Sequence, residues 1–490
     1  MHPSAVYRIA PVVNVFSAVV MIFSLTMLVP FALAHYYDDA AESAYDKAIA
    51  ITFAAGLFMK LATWRFRRDL QLRDGFLLVV LVWTMLPAFA TLPLLFYLDT
   101  LSFTDAYFET VAGITTTGAT TLSKLDQLPP SINFWRSELQ WLGGMGLIVL
   151  AVAILPLLGV GGMQIYKAET PGPMKESKLT PRITETAKAL WLIYAAISLA
   201  CILAFRGAGM TWFDAVCHAF TTMGLGGFST HDASFGYFDS PLIESITIVF
   251  MLIAGMNFAT HFLAWRERSP RPYRADPEAG MFVLVTLASC VMIAGYLWLY
   301  GVYPDFATAL RYATFNTVSI ATTTGFANTD YNLWPAFAPL WMLFLCCFAS
   351  SSGSTGGGIK MVRAELLVRQ GLRELVKLIH PSAQVPVKLG GQVVPNQIVF
   401  AVLAFMSIFG ACLVVMTFLL LATGLDFISA FSAVIASITN TGPGLNQVGP
   451  ATNYAGLTDF QTWVCTVAML LGRLELFTLL IIFTPAFWRR

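Results

Sequence analysis

Charge is what this sequence has least of. Only 12% of its 490 residues are Asp, Glu, Lys or Arg, while 57% are hydrophobic. Soluble domains carry roughly 25% charged residues, so a water-facing surface of ordinary polarity cannot be assembled from this pool. The net charge is +1, without the basic excess that a nucleic-acid partner requires, and nucleic acid is excluded as a ligand. Cysteine is sparse as well. Cys201, Cys217, Cys290, Cys346, Cys347, Cys412 and Cys465 show no CxxC or Cys/His spacing and do not divide into pairs. They read as small, buried apolar residues. No nucleophile–base or metal-ligand constellation stands out, which argues against an enzyme. No G-x-G-x-x-G follows a strand, and the Gly/Ser string before Lys360 misses the phosphate-loop pattern.

Long apolar runs fill the space these absences leave. A hydrocarbon core of ~30 Å takes ~20 apolar residues. Spanning helices are expected near 9–34, 48–64, 75–97, 137–160, 186–205, 241–265, 279–300, 335–378 (interrupted), 394–424 and 459–487. The first run is preceded by Arg8 and followed by Ala32-Leu33-Ala34, which resembles a signal-peptidase site. It exceeds the usual apolar region of ~7–15 residues and is read as a retained helix, with cleavage as the alternative.

Charge tests this layout. With a cytoplasmic N-terminus, the inner loops hold Arg65, Arg67, Arg68 and Arg73; Lys167, Lys175, Lys178, Arg182 and Lys188; Arg266, Arg268, Arg271 and Arg274; Lys360, Arg363, Arg369, Arg373, Lys377 and Lys388; and Arg489 and Arg490. The outer loops hold Lys47, Lys124, Arg136 and Arg206. This is the positive-inside distribution, and a miscounted span would have scrambled it.

Shorter segments near 104–114, 213–223, 311–321 and 428–438 sit between spans. Each rises only ~15 Å as a helix, half a bilayer, so each must enter and return on one side. Aligned, they read DAYFETVAGITTTG (Asp105 to Gly118), DAVCHAFTTMGLGG (Asp214 to Gly227), YATFNTVSIATTTG (Tyr312 to Gly325) and SAFSAVIASITNTG (Ser429 to Gly442). Alanine holds the second position throughout: Ala106, Ala215, Ala313 and Ala430. Such self-similarity marks a repeat architecture. The expected fold is an all-α integral membrane protein. Four pseudo-symmetric helix–pore loop–helix repeats (71–165, 166–275, 276–385 and 386–490) surround a central pore, after a two-helix segment (1–70).

Irregular backbone at membrane depth is tolerated where it is buried in protein or lines water. The end of each half-helix carries partial negative charge, and an extended Thr-x-Thr-Gly strand can turn its carbonyls to the axis. Four such strands can replace the hydration shell of an alkali cation. The second turn, Gly224-Leu225-Gly226-Gly227, departs from the pattern. The alignment picks Gly227, with Gly226 or Gly224 as alternatives. Glu109, His218 and Asn316 share the fifth repeat position and read as braces behind the filter.

The eighth span breaks at Ser350-Ser351-Ser352-Gly353-Ser354-Thr355-Gly356-Gly357-Gly358. Glycine and serine this dense end a helix. The stretch is read as a gate below the filter, with a cytoplasmic linker as the alternative. Arg473, inside the last span, costs roughly 2.5–3.5 kcal/mol at mid-bilayer and must face a partner or a cavity. It either points at the broken helix or pairs with Glu475 or nearby carbonyls. The basic stretch from Lys360 to His380 continues as an amphipathic helix that meets anionic lipid, a partner or solvent.

On these residues the chain resembles the Trk/Ktr/HKT superfamily of potassium transporters, and within it the TrkH family, the membrane subunits of bacterial Trk systems. The matching pieces are the four turns, GGFSTHDAS from Gly226 to Ser234, GSTGGGIK from Gly353 to Lys360, and Arg473 in LLGRLE. The two extra N-terminal helices favour TrkH over the shorter Ktr type. The resemblance implies a multi-pass protein of the bacterial cytoplasmic membrane with potassium as its cargo. Carbonyls of Thr115, Thr116, Thr117 and Gly118; Gly224, Leu225, Gly226 and Gly227; Thr322, Thr323, Thr324 and Gly325; and Thr439, Asn440, Thr441 and Gly442 would hold the ion. Glycine at all four turns resembles the potassium-selective members; serine at the first turn marks the sodium-preferring plant relatives, and this chain has Gly118. The resemblance also implies a gate made of Ser350, Gly353, Ser354, Thr355, Gly356, Gly357, Gly358 and Arg473. Its partners would be a second copy of the chain and a cytoplasmic nucleotide-binding subunit of TrkA type. A proton- or sodium-coupled symporter is the competing reading; Glu109 and Glu475 are the chief intramembrane acids it could use.

Overall fold

The computed structural model describes residues 3–66, 68, 70–149 and 183–489. The far end of the span expected at 137–160, and the basic loop with Lys167, Lys175, Lys178 and Arg182, lie outside them. Among the described residues everything regular is helical except one short antiparallel pair, Lys388–Leu389 with Gln392–Val393.

Among the described residues five helices are long and apolar enough to cross a membrane: Ile9–Tyr37, Arg73–Tyr97, Lys188–Gly207, Pro277–Leu299 and Asn396–Ala422. Two bent pairs raise this to seven. The other three expected spans are present as helices that fall short of that test. Glu42–Thr63 carries Glu42, Asp46, Lys47 and Lys60. Pro130–Val149 runs to the edge of the described residues. Phe337–Phe348 has only 12 residues and continues, past the broken stretch, as Met361–Ile379. Large apolar side chains stay exposed on the outer faces, among them Phe58, Leu284, Val291 and Phe418. Uncovered apolar area on this scale needs lipid or a partner.

The bent pairs differ from the straight spans expected at 241–265 and 459–487. Pro241–Ala254 and Phe258–Glu267 meet at 94°, and Asp459–Arg473 and Phe477–Phe483 at 108°. At the first break Asn257 caps the new helix by accepting from Ala259 N at 2.9 Å. At the second, Glu475 and Leu476 take φ of 52° and 56°. With the interruption after Phe348, the second helices of repeats two, three and four all break part-way along their length.

The half-helices form as Phe103–Ile114, Trp212–Gly224, Phe306–Ala321 and Phe427–Ile438. Ser102, Thr211, Asp305 and Asp426 cap them, each accepting from the backbone N–H three residues on. Such caps satisfy an orphan donor and fix the start of the helix. The third begins earlier than expected, because Asp305 supplies its cap. The N-terminal helices pack on one another through Gly56, whose Cα lies against Met21, and dock on the first repeat through Tyr45 Oη, which donates to Ser131 O at 2.9 Å. Helix Met361–Ile379 buries Leu366, Gln370 and Arg373 but exposes Leu372, Leu375, Leu378 and Ile379. That exposed face is mostly apolar.

Candidate ion-permeation site

Each half-helix ends in the same turn. Thr116, Leu225, Thr323 and Asn440 take φ of 55°, 52°, 60° and 55°, and two residues on Gly118, Gly227, Gly325 and Gly442 take 78°, 80°, 88° and 96°. The turns fold back on their helices: Thr117 N donates to Ala112 O, Gly226 N to Thr221 O, Thr324 N to Ser319 O and Thr441 N to Ala436 O. A left-handed conformation costs a residue with a Cβ about 1–2 kcal/mol, and strain of this kind clusters at functional sites. The second turn shares the pattern with Gly227, not Gly224 or Gly226, in the final position.

The four turns close into a ring. A Cβ on Gly118 would overlap the Gly226 carbonyl, one on Gly227 that of Thr324, one on Gly325 that of Thr441, and one on Gly442 that of Thr117. Each repeat therefore abuts the next, and the fourth returns to the first. Glycine is required here by the approach of one backbone to another. Thr115, Thr117, Thr322, Thr323, Thr324, Thr439 and Thr441 are fully buried. Among the described residues no protein donor reaches the carbonyls of 115–118, 322–325 or 439–441. Buried carbonyls are normally paired, so the interior of this ring calls for water or a cation.

The broken stretch lies directly against the turns. Gly357 N donates to Thr323 Oγ1 at 2.8 Å, and Thr355 Oγ1 donates to Met223 O at 2.9 Å. Gly356 meets Thr322 O and Gly357 meets Thr439 O so closely that a Cβ on either would crowd them. Ser350 Oγ holds Gly357 O at 2.7 Å, Ser354 Oγ holds Ser351 O at 2.6 Å, and Lys360 Nζ donates to Gly356 O. The neighbouring break is tied in as well: Phe258 N donates to Gly353 O and Ser351 N to Gly255 O. Gly358 packs on Cys346 O. Arg473 donates from Nη1 to Thr355 O at 3.0 Å and from Nη2 to Gly143 O at 2.7 Å, and lies over the Trp83 ring. Its partners are thus the loop and a carbonyl of the first repeat; Glu475 pairs with Arg363 at 2.7 Å.

Comparison with known proteins gives this geometry its context. The family model TrkH, described as a cation transport protein, matches residues 42–490. The chain belongs to the TrkH family. It is 48% identical to the Trk system potassium uptake protein TrkH of Halomonas elongata, over 98% of this chain and 99% of that one. It is 47% identical to the protein of the same name from Salmonella typhimurium, over the full length of both. The crystal structure of the potassium transporter TrkH from Vibrio parahaemolyticus matches with a TM-score of 0.89 at 44% identity, covering 98% of this chain and 100% of that one. Like these TrkH relatives, the chain is a helical, multi-pass protein of the bacterial inner membrane.

Behind the ring, the fifth-position residues reach the strand that leaves each turn. Glu109 accepts from Thr120 Oγ1 at 2.9 Å and Thr121 N at 3.0 Å. His218 Nε2 lies 2.9 Å from Ser229 Oγ, and Asn316 Nδ2 donates to Asn328 Oδ1 at 2.6 Å. The fourth repeat has Ala433 there and uses Ser432, whose Oγ accepts from Leu445 N at 2.8 Å. Arg136 corrects the charge map. It is 1% exposed within helix Pro130–Val149, and its Nε donates to Glu109 at 2.8 Å. It is a buried partner of a brace, not an outer-loop charge.

The sequence reading also missed Glu278, which accepts from Ser352 N of the broken stretch at 2.8 Å, and Gln140, whose carboxamide lies against the second turn. At the outer mouth, His231 stacks on Tyr237 with ring centroids 3.5 Å apart. Its Nε2 stands 3.3 Å from Asp214 Oδ1, and its Nδ1 bonds Asp126. Burial opposes its protonation, but the two carboxylates outweigh it and hold its pKa above the usual value.

Proposed function

We propose that the chain carries potassium inward across the cytoplasmic membrane along the axis of the four turns. In this reading carbonyls of 115–118, 224–227, 322–325 and 439–442 replace the water shell of the ion. The loop of Ser350 and residues 353–358, with Arg473, opens and closes the path beneath them. The observation that carries the reading is the closed ring of buried turns: among the described residues only Gly226 O, from Gln140, and Gly442 O, from Tyr454, accept from a protein donor. Solvation by such a ring is how a protein dehydrates an alkali cation. The relatives' names speak for potassium as the cargo and for membership of a multi-component Trk system. Regulation then falls to a cytoplasmic nucleotide-binding subunit of TrkA type, with the chain paired to a second copy.

Rubidium and sodium fluxes into proteoliposomes test this, comparing the native protein with Gly118→Ser. Serine adds a Cβ where the ring has no room, so the rubidium-to-sodium ratio falls. Equal ratios in both would mean the filter lies elsewhere.

Ion-coupled symport is the second reading. The two acids first considered as relays are both held in ion pairs, Glu109 with Arg136 and Glu475 with Arg363. Glu138, buried in helix Pro130–Val149 with Oε2 unpartnered among the described residues, is what keeps this reading open.

A further inference from the structure

Three of the four turns are tied from behind by a pair of threonine hydroxyls. Thr115 Oγ1 lies 2.7 Å from Thr117 Oγ1, Thr322 from Thr324 at 2.7 Å, and Thr439 from Thr441 at 2.8 Å. The first hydroxyl of each pair also bonds back to its own half-helix: Thr115 to Val111 O at 2.6 Å, Thr322 to Val318 O at 2.7 Å and Thr439 to Ile435 O at 2.7 Å. The pair locks the strand onto the helix that aims it. In the second turn both positions are glycine, Gly224 and Gly226, and the lock is missing from the turn's own sequence.

A side chain from another repeat fills the gap. Gln140, fully buried in helix Pro130–Val149, donates from Nε2 to Gly226 O at 2.8 Å and accepts at Oε1 from Phe228 N at 3.0 Å. Its carboxamide occupies the space a Cβ on Gly226 would need; Cδ, Oε1 and Nε2 are the three nearest atoms to that point. The Gln140 carbonyl likewise lies against Gly224. The glycines and the glutamine are therefore complementary: the turn has no side chains because a neighbour's side chain stands in their place.

We propose that Gln140 is a positioning residue for ion selectivity. Through Gly226 and Phe228 it holds the second turn in register with the other three and so sets the discrimination between potassium and the smaller sodium ion. This rests on the filter assignment above. Two hydrogen bonds to opposite sides of the Gly227 residue fix the backbone that carries its carbonyl. Losing them leaves the turn in place but free to close around a smaller ion.

Rubidium and sodium uptake into proteoliposomes by the full-length protein, read as a ratio, tests the role. Gln140→Leu keeps the bulk and removes both bonds; the ratio should fall by roughly tenfold, the effect of about one net hydrogen bond, with rubidium uptake within a few-fold of native. Gln140→Glu keeps the acceptor for Phe228 N but cannot donate to Gly226 O, and should fall part of the way; it stands in if Gln140→Leu does not survive purification. Gly226→Ser alone should lower the ratio by colliding with Gln140. The same change combined with Gln140→Ala should restore it, because the serine then has room and supplies a hydroxyl. A native ratio in Gln140→Leu or Gln140→Glu, with or without a loss of flux, overturns the proposal. Gly118→Ser measured alongside separates the two failures. If it shifts the ratio and Gln140 variants do not, only the role of Gln140 falls; if it too leaves the ratio native, the filter assignment falls with it.

Discussion

Replacing Arg473 with alanine removes a guanidinium that joins the broken loop to the first repeat. Its bond to Thr355 O at 3.0 Å must break if the loop moves aside, whereas its bond to Gly143 O at 2.7 Å joins two helices and can persist. If the loop is the gate, Arg473 contributes about one hydrogen bond from a charged donor to holding it under the turns, worth about 1.5–3 kcal/mol. That converts to roughly a 10- to 150-fold shift in the closed-to-open equilibrium. Unstimulated rubidium uptake into proteoliposomes should rise by that order in Arg473→Ala. Arg473→Lys separates two ways of closing the path. A lysine keeps the charge but not the planar fork that spans both carbonyls, so it stays tight if charge repels the ion and leaks if the bridge holds the loop. None of these substitutions touches the Thr355 Oγ1 bond to Met223 O, 2.9 Å in the native structure, so saturable transport should survive. Native uptake in Arg473→Ala, from protein that is folded and reconstituted to the same level, would mean that Arg473 takes no part in closing the path.

Two further expectations concern ionisable groups. The His231 ring faces Asp126, Asp214 and Tyr237, with His218 stacked 6.2 Å away, and its pKa is raised by the carboxylates against the effect of burial. A raised histidine pKa stabilises fully below the ordinary value and is lost as pH rises through the raised one; the thermal midpoint should therefore fall as pH rises past the ordinary histidine range, and His231→Gln should flatten that slope, identical slopes counting against the clamp. For Glu138, channel-like transport predicts that Glu138→Gln tracks the native protein when a pH gradient is imposed; loss of a pH-driven component of uptake in that variant would favour symport instead.

Much of the architecture could be read from the chain because its signals are local. A half-length apolar segment followed by threonines and glycine states its own geometry; it does so three times, and a Gly-Leu-Gly-Gly turn stands at the matching place in the second repeat. The breaks at Gly255-Met256-Asn257 and Leu474-Glu475-Leu476 were hidden because the flanking residues are apolar enough to span either way; helix direction is invisible to hydropathy. Arg136 was misplaced for a related reason. Counting charges near the ends of spans assumes that each is solvated, and the partner that buries Arg136, Glu109, comes from a different element. Gln140 was missed because its role is defined by what the second turn omits. The signal was available: two glycines where three sibling turns have threonines imply that something else occupies the volume.

The glycines of the broken stretch invite the reading that the loop is soft, and its contacts argue otherwise. Gly356 and Gly357 sit where a Cβ would press on Thr322 O and Thr439 O, and Gly358 where it would press on Cys346 O. Their composition is explained by contact with the turns. Only Gly353 and Gly358 use a positive φ, 75° in each. The loop is also tied unequally to its surroundings: to the end of the second half-helix through Thr355 and Met223 O, to the third turn through Gly357 and Thr323, and to the fourth turn by packing alone, while Arg473 links it to Gly143 O of helix Pro130–Val149. Four identical subunits could not place one such loop under a shared axis. A single chain with four diverged repeats can, and divergence has a cost that the same structure meets: once the second turn loses its threonines, an adjacent repeat must supply the hydrogen bonds. Asymmetry in the broken loop and asymmetry in the ring are in this sense one property, the freedom of each repeat to specialise so long as its neighbours complete it.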